Sequence, residues 1–153
     1  MKFLAPSMVA ALLLCSTVTF AADTSSGPTV NQRLTTARKA IEAKDWSRAQ
    51  FELNAAVRDE PRNADIHNLL GYTARKRATP DLPKAFEHYK TALQLDPRHK
   101  GAHEYIGEAY LMAKQPDEAQ KHLAELERIC GNKSCEEYED LAKSIAAYKA
   151  QNP

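Results

Sequence analysis

Ala85-Phe86-Glu87-His88-Tyr89-Lys90-Thr91-Ala92-Leu93-Gln94-Leu95-Asp96-Pro97 decides how this chain folds. Ala85, Tyr89 and Ala92 recur at the i, i+4, i+7 spacing of one helix face, small-large-small, and Pro97 stops the helix because it has no N–H to continue it. The same spacing occurs upstream as Ala49-x3-Leu53-x2-Ala56-x4-Pro61, and downstream, more weakly, as Ala119-x3-Leu123-x2-Leu126 with Gly131 in place of the proline. A second block precedes each copy: Leu70-Gly71-x2-Ala74, Ile106-Gly107-x2-Tyr110 and, faintly, Thr36-Ala37-x2-Ala40. No stretch alternates with period two, which excludes a sheet.

The repeating blocks divide the chain into units 30–63, 64–99 and 100–133, of 34, 36 and 34 residues. The two extra residues of the second unit fall in Arg77-Ala78-Thr79-Pro80, a turn where insertion is cheap. Together the blocks resemble the tetratricopeptide repeat, whose pattern is Leu-Gly-x2-Tyr, then Ala-x3-Phe, then Pro. The resemblance implies an all-α, right-handed superhelical solenoid of three helical hairpins and a capping helix, seven helices in all. Gly71, Gly107, Ala49 and Ala85 are then expected where helix backbones approach. The second helices should begin at Asp45-Trp46, Asp81-Leu82 and Gln115-Pro116, with Asp accepting from free N–H groups and Pro116 at a first helical position. Residues 134–150 are expected to cap the solenoid. Ser134-x2-Glu137 reads as a capping box, and Tyr138, Leu141, Ile145 and Tyr148 form one apolar stripe.

The first residues read as an export signal. Lys2, an apolar run from Met8 to Leu14 and Thr19-Phe20-Ala21 give the charged start, apolar core and small-residue site of a signal peptide, residues 1–21, cleaved after Ala21. A lipoprotein signal at Cys15 is the rival reading, disfavoured by the large Leu14 before it. Residues 22–29 read as a flexible leader. Removing 1–21 leaves 132 residues with Lys and Arg balancing Asp and Glu at 20 each. That balance excludes bulk attraction to nucleic acid or anionic lipid. The 132 residues hold no further apolar stretch, so stable membrane insertion is not expected, and the product should be a periplasmic or secreted monomer.

Cys130 and Cys135 remain after cleavage, and an even count in an exported chain favours a disulfide. It would staple the turn before the last helix, and closing so short a loop is worth about 2 kcal/mol. A redox pair or metal site is the alternative, although the spacing is not Cys-x-x-Cys. His67 and His103 match in position, as do His88 and His122. Matched residues of neighbouring hairpins stand roughly 8–10 Å apart, too far to share a metal ion, so His67 and His103 are expected to pack between units. Asn132-Lys133-Ser134 fits a glycosylation sequon, a weak signal.

Phosphate loop, nucleophile elbow and zinc-hydrolase motifs are missing from the sequence, so no catalytic residue, metal or cofactor is assigned. The resemblance instead implies a concave groove built by the first helix of each unit, holding a protein or peptide. Its lining would be Asn31, Leu34, Arg38, Ile41 and Glu42; then Asp65, Asn68, Tyr72, Arg75 and Lys76; then Gly101, Glu104, Glu108, Leu111 and Met112. Arg38, Asn68, Tyr72, Arg75, Lys76, Glu104, Glu108 and Leu111 are the leading contact candidates, giving a basic middle and an acidic far wall. Some relatives clamp a C-terminal carboxylate with Lys, Asn, Asn, Lys and Arg; here those places hold Leu34, Arg38, Leu69, Gly101 and Tyr105, so that clamp is missing. The expected function is therefore a non-catalytic adaptor of the cell envelope. A metal- or redox-linked accessory protein using the cysteines and histidines is the alternative, and a subunit docking through apolar stripes is a third reading.

Overall fold

A computed structural model describes residues 27–152; the expected signal peptide and all but the end of the expected leader lie outside them. Seven α-helices make up this part: α1 (Val30–Glu42), α2 (Trp46–Asp59), α3 (Ala64–Lys76), α4 (Leu82–Leu95), α5 (Lys100–Met112), α6 (Pro116–Cys130) and α7 (Glu136–Gln151). No strand occurs among the described residues. The architecture is an all-α helical-repeat solenoid in which α1–α2, α3–α4 and α5–α6 pair as hairpins and α7 packs on α5 and α6.

Local chemistry sets the helix ends. The Asp45 carboxylate accepts from the Arg48 N–H at 2.9 Å and the Asp81 carboxylate from Lys84 at 3.1 Å, satisfying N–H groups that have no partner within the helix. Thr29 and Gln32 form a reciprocal capping box at the start of α1. Ser134 does not cap α7: Cys135 is its N-cap, and the backbone N–H and hydroxyl of Ser134 both donate to the Asn132 side-chain oxygen at 2.9 Å. The turn captures the serine before the helix can use it. At the end of α6, Gly131 adopts a left-handed φ of 73°, which glycine takes without steric cost.

The longer second hairpin absorbs its insertion without losing register. In the first and third hairpins, Asp45 N–H donates to Ala40 O and Gln115 N–H to Tyr110 O, each at 2.8 Å. In the second, Asp81 N–H reaches back over two more residues to Ala74 O at 2.9 Å. One bond closes all three turns, and the extra residues loop out of it.

Three core clusters run along the solenoid, each drawn from three successive helices. Ala37, Leu53, Ala56, Ile66 and Leu70 join α1, α2 and α3. Ala74, Ala85, Tyr89 and Ile106 join α3, α4 and α5. Leu111, Ala119, Leu126, Leu141 and Ile145 join α5, α6 and α7. Each hairpin thus needs the next unit's first helix to bury its apolar face, and α7 supplies that helix where the repeats end. Gly71 and Gly107 make room for side chains rather than for backbone. A Cβ on Gly71 would lie 2.6 Å from the Tyr89 ring, and one on Gly107 would lie 2.6 Å from Leu141.

Candidate partner-binding groove

The face built from α1, α3 and α5 carries an aromatic run. Trp46 starts α2 and packs against Tyr72 of α3 at 6.5 Å between ring centroids, and Tyr72 packs against Tyr105 of α5 at 4.8 Å. All three are half-buried, so each keeps part of its ring exposed. Of these, sequence reasoning finds Tyr72 alone as a contact. It misses Trp46, which starts a second helix, and it weighs Tyr105 only as a place where the carboxylate clamp is missing, not as an aromatic contact.

Arg75 is tied down beneath this run. Its side chain is 5% exposed, pairs with Glu108 and donates from Nε to the Tyr89 hydroxyl at 3.3 Å. Its guanidinium lies 5.4 Å from the Tyr72 ring centre and 5.7 Å from that of Tyr105. Burial alone would lower its proton affinity, but Tyr89 and Glu108 outweigh burial and hold the group charged. Arg75 is therefore a brace between α3, α4 and α5, and the expectation of a basic groove middle is corrected: its charge is spent on Glu108. Lys76 and Arg38 remain exposed, and Lys76 Nζ sits 5.8 Å over Tyr72. Leu111 is 8% exposed in the third core cluster and presents only an edge to the recess beside α7.

Recesses flank the aromatic run. One, of about 590 Å³, lies between Ile41, Glu42, Lys44, Trp46, Tyr72, Lys76 and Ala78. The other, of about 380 Å³, is bounded by Arg75, Glu108, Met112, Ser144 and Tyr148, so α7 contributes to the groove as well as to the core. Ser144 donates to Glu108 at 3.2 Å. Asn68 and Glu104, at matched positions of α3 and α5, are 6% and 9% exposed.

Hairpin boundaries, repeated small residues and the three-helix clusters coincide with one repeat family. The tetratricopeptide repeat models match residues 34–98 and 80–145. The chain belongs to the tetratricopeptide repeat family. Its fold is similar to the TPR2B domain of yeast Sti1, solved in complex with pHsp70, with a TM-score of 0.70 and 14% sequence identity over 80% of this chain and 98% of that one. No curated protein matches this tetratricopeptide chain.

The remaining candidates lie apart from the groove. Cys130 and Cys135 form a disulfide across the α6–α7 turn. The histidines contradict the expected packing between units: His67 Nδ1 meets His88 Nδ1 at 3.3 Å, and His103 Nδ1 meets His122 Nδ1 at 2.9 Å, each pair within one hairpin. The reason is geometric, since the fourth position of a unit faces that unit's own second helix rather than the neighbouring hairpin. His67 and His103 each donate from Nε2 to a proline carbonyl, Pro61 O at 2.9 Å and Pro97 O at 3.1 Å. That fixes their tautomer, so in each neutral pair the second-helix imidazole donates from Nδ1. Among the described residues no helix is long and apolar enough to cross a membrane.

Proposed function

We propose that this tetratricopeptide protein is a non-catalytic adaptor, exported as a monomer to the periplasm or cell exterior, that holds a protein or peptide in the groove of α1, α3 and α5. The observation that carries the reading is the partly exposed Trp46–Tyr72–Tyr105 run, braced from below by Arg75 and bordered by two recesses. Aromatic rings held rigid offer large contact area with little entropy left to lose, which is the usual make-up of an interface anchor. Export is supported by the signal-like first residues and by the disulfide, a bond that oxidising compartments preserve.

The test is photo-crosslinking in envelope extracts, with a benzophenone amino acid placed at position 72 or, as a control, at exposed Lys90 on α4. The reading expects a discrete adduct from position 72 that position 90 does not give. Adducts from position 90 alone, or from neither site, would remove the groove from consideration.

A further inference from the structure

The two histidine pairs occupy the same place in their hairpins but differ in access and spacing. His67 and His88 are both half-buried, and their Nδ1 atoms stand 3.3 Å apart with ring centres at 5.5 Å. In the second pair His103 is 6% exposed, and its Nδ1 lies 2.9 Å from that of His122. The His122 ring is also stacked on Tyr110, with 5.6 Å between centres. Two imidazole nitrogens on one tetrahedral zinc ion, each bound at about 2.0–2.1 Å, lie roughly 3.3–3.4 Å apart. The first pair has that separation and the second is too close. His67 is further prepared as zinc-binding imidazoles are. Its Nε2 donates to the Pro61 carbonyl at 2.9 Å, which leaves Nδ1 as a bare lone pair and fixes the direction of the ring. His88 makes no hydrogen bond besides the one to His67 among the described residues, so its ring can turn and its proton can move from Nδ1 to Nε2.

We propose that His67 and His88 form a zinc-binding site that clasps α3 to α4, with water filling the other coordination positions. The site lies apart from the groove and does not depend on the adaptor reading. Carboxylates and thiols do not complete it. Among the described residues, the one group of three or more ligating side chains is Cys130, Cys135 and Glu137, and both of its sulfurs are held in the disulfide. With two protein ligands the ion is exchangeable, unlike the closed four-ligand sites that hold a fold together. Binding replaces the shared N–H bond by two Zn–N bonds. The His88 proton leaves Nδ1 and is carried at Nε2, so both rings remain neutral and each gives one lone pair. Imidazole nitrogen suits zinc, whereas magnesium prefers oxygen. An ion held by the folded hairpin stabilises it by mass action, so zinc should raise the thermal midpoint.

The test titrates zinc or magnesium chloride into the isotope-labelled, disulfide-intact protein, free of any affinity tag. Long-range proton–nitrogen NMR spectra of the imidazoles report which nitrogen carries the proton. The proposal expects one equivalent of zinc to move the Nδ1 signals of His67 and His88 together and to place the His88 proton on Nε2. His103 and His122 should keep their signals, and magnesium should move none. By calorimetry, His88→Gln should weaken zinc binding at least about tenfold, since losing even a group that only orients a ligand costs that much. It should also remove the zinc-dependent rise in thermal midpoint, and His122→Gln should leave both unchanged. Equal zinc affinity in wild type and His88→Gln would overturn the site. So would signals that move first at His99, His103 or His122, or a His67–His88 pair that stays still at millimolar zinc. The wild-type spectra decide among these outcomes without any variant, so a poorly folding substitution leaves the test intact.

Discussion

The first hairpin and the two after it fasten their helices at the same place with different chemistry. In α1–α2 the site holds Arg33 and Glu52, joined at 3.0 Å, with Arg48 on the other Glu52 oxygen at 2.7 Å. In α3–α4 and α5–α6 the matched residues are His67 with His88 and His103 with His122. The repeat therefore fixes where a polar cross-link sits between its helices and leaves its chemistry free. That chemistry in turn sets how each hairpin responds to pH. Two imidazoles joined by one N–H lose their bond when both are protonated.

Breaking the first clasp should have the largest effect. Glu52→Ala leaves Arg33, whose side chain is 18% exposed, without its buried partner. The loss should be about 3 kcal/mol in urea denaturation, concentrated in α1–α2 by hydrogen exchange. A loss below about 1 kcal/mol would reduce the pair to an ordinary surface contact.

Acid should act on the other two hairpins. Burial, reinforced by His103, lowers His122 to about 4, and burial likewise lowers His88 and His103. A histidine whose folded value lies below its unfolded value of about 6.5 binds protons more readily when unfolded. Its contribution is therefore complete above about pH 6.5 and is lost as pH falls toward about 4. Glu104 acts in the opposite sense, since its raised value favours the folded state as pH drops below about 8. Comparing wild type with His122→Gln between pH 7 and 4.5 cancels that contribution. The wild type should lose about 1–2 kcal/mol more than the variant, after allowance for partial exposure. Protection should fail in α5–α6 before α1–α2. Installing the first clasp in the third hairpin, as His103→Arg with His122→Glu, should abolish that order; an unchanged order would mean that the histidine pairs do not set the acid response.

The smallest effect sharpens a contrast in the turns. Lys44 and Lys114 adopt left-handed φ of 57° and 59° in the short turns of the first and third hairpins, and the longer second turn has no such residue. Lys114→Gly should raise stability by up to about 0.5 kcal/mol in urea denaturation, with relieved backbone strain set against a looser unfolded chain. The same change at Arg77, whose φ is −63°, should lower stability.

Most of the fold is readable in the sequence because small and large residues recur at one spacing, and that spacing specifies which helix faces meet. The groove is readable only as a face. Arg75 occupies a groove position by count, but its long side chain turns back onto Glu108 and Tyr89, and spacing does not record that reach. Leu111 follows the same rule and is buried because α7 covers it with Leu141 and Ile145. The histidine pairs are hidden because equivalence between units points along the solenoid, while the contacts run across each hairpin. Aligning Arg33–Glu52 with them exposes a polar cross-link in every unit, since opposite charges at matched positions are a signal the sequence does carry.

The most direct test of the partner-binding groove is hydroxyl-radical footprinting of the protein with and without the partner captured by crosslinking. Oxidation of Trp46, Tyr72 and Tyr105 should slow several-fold on binding, while that of Phe51, 62% exposed on α2, stays unchanged. Protection of Phe51 with no change at Tyr72 and Trp46 would place the partner on another face and contradict the account.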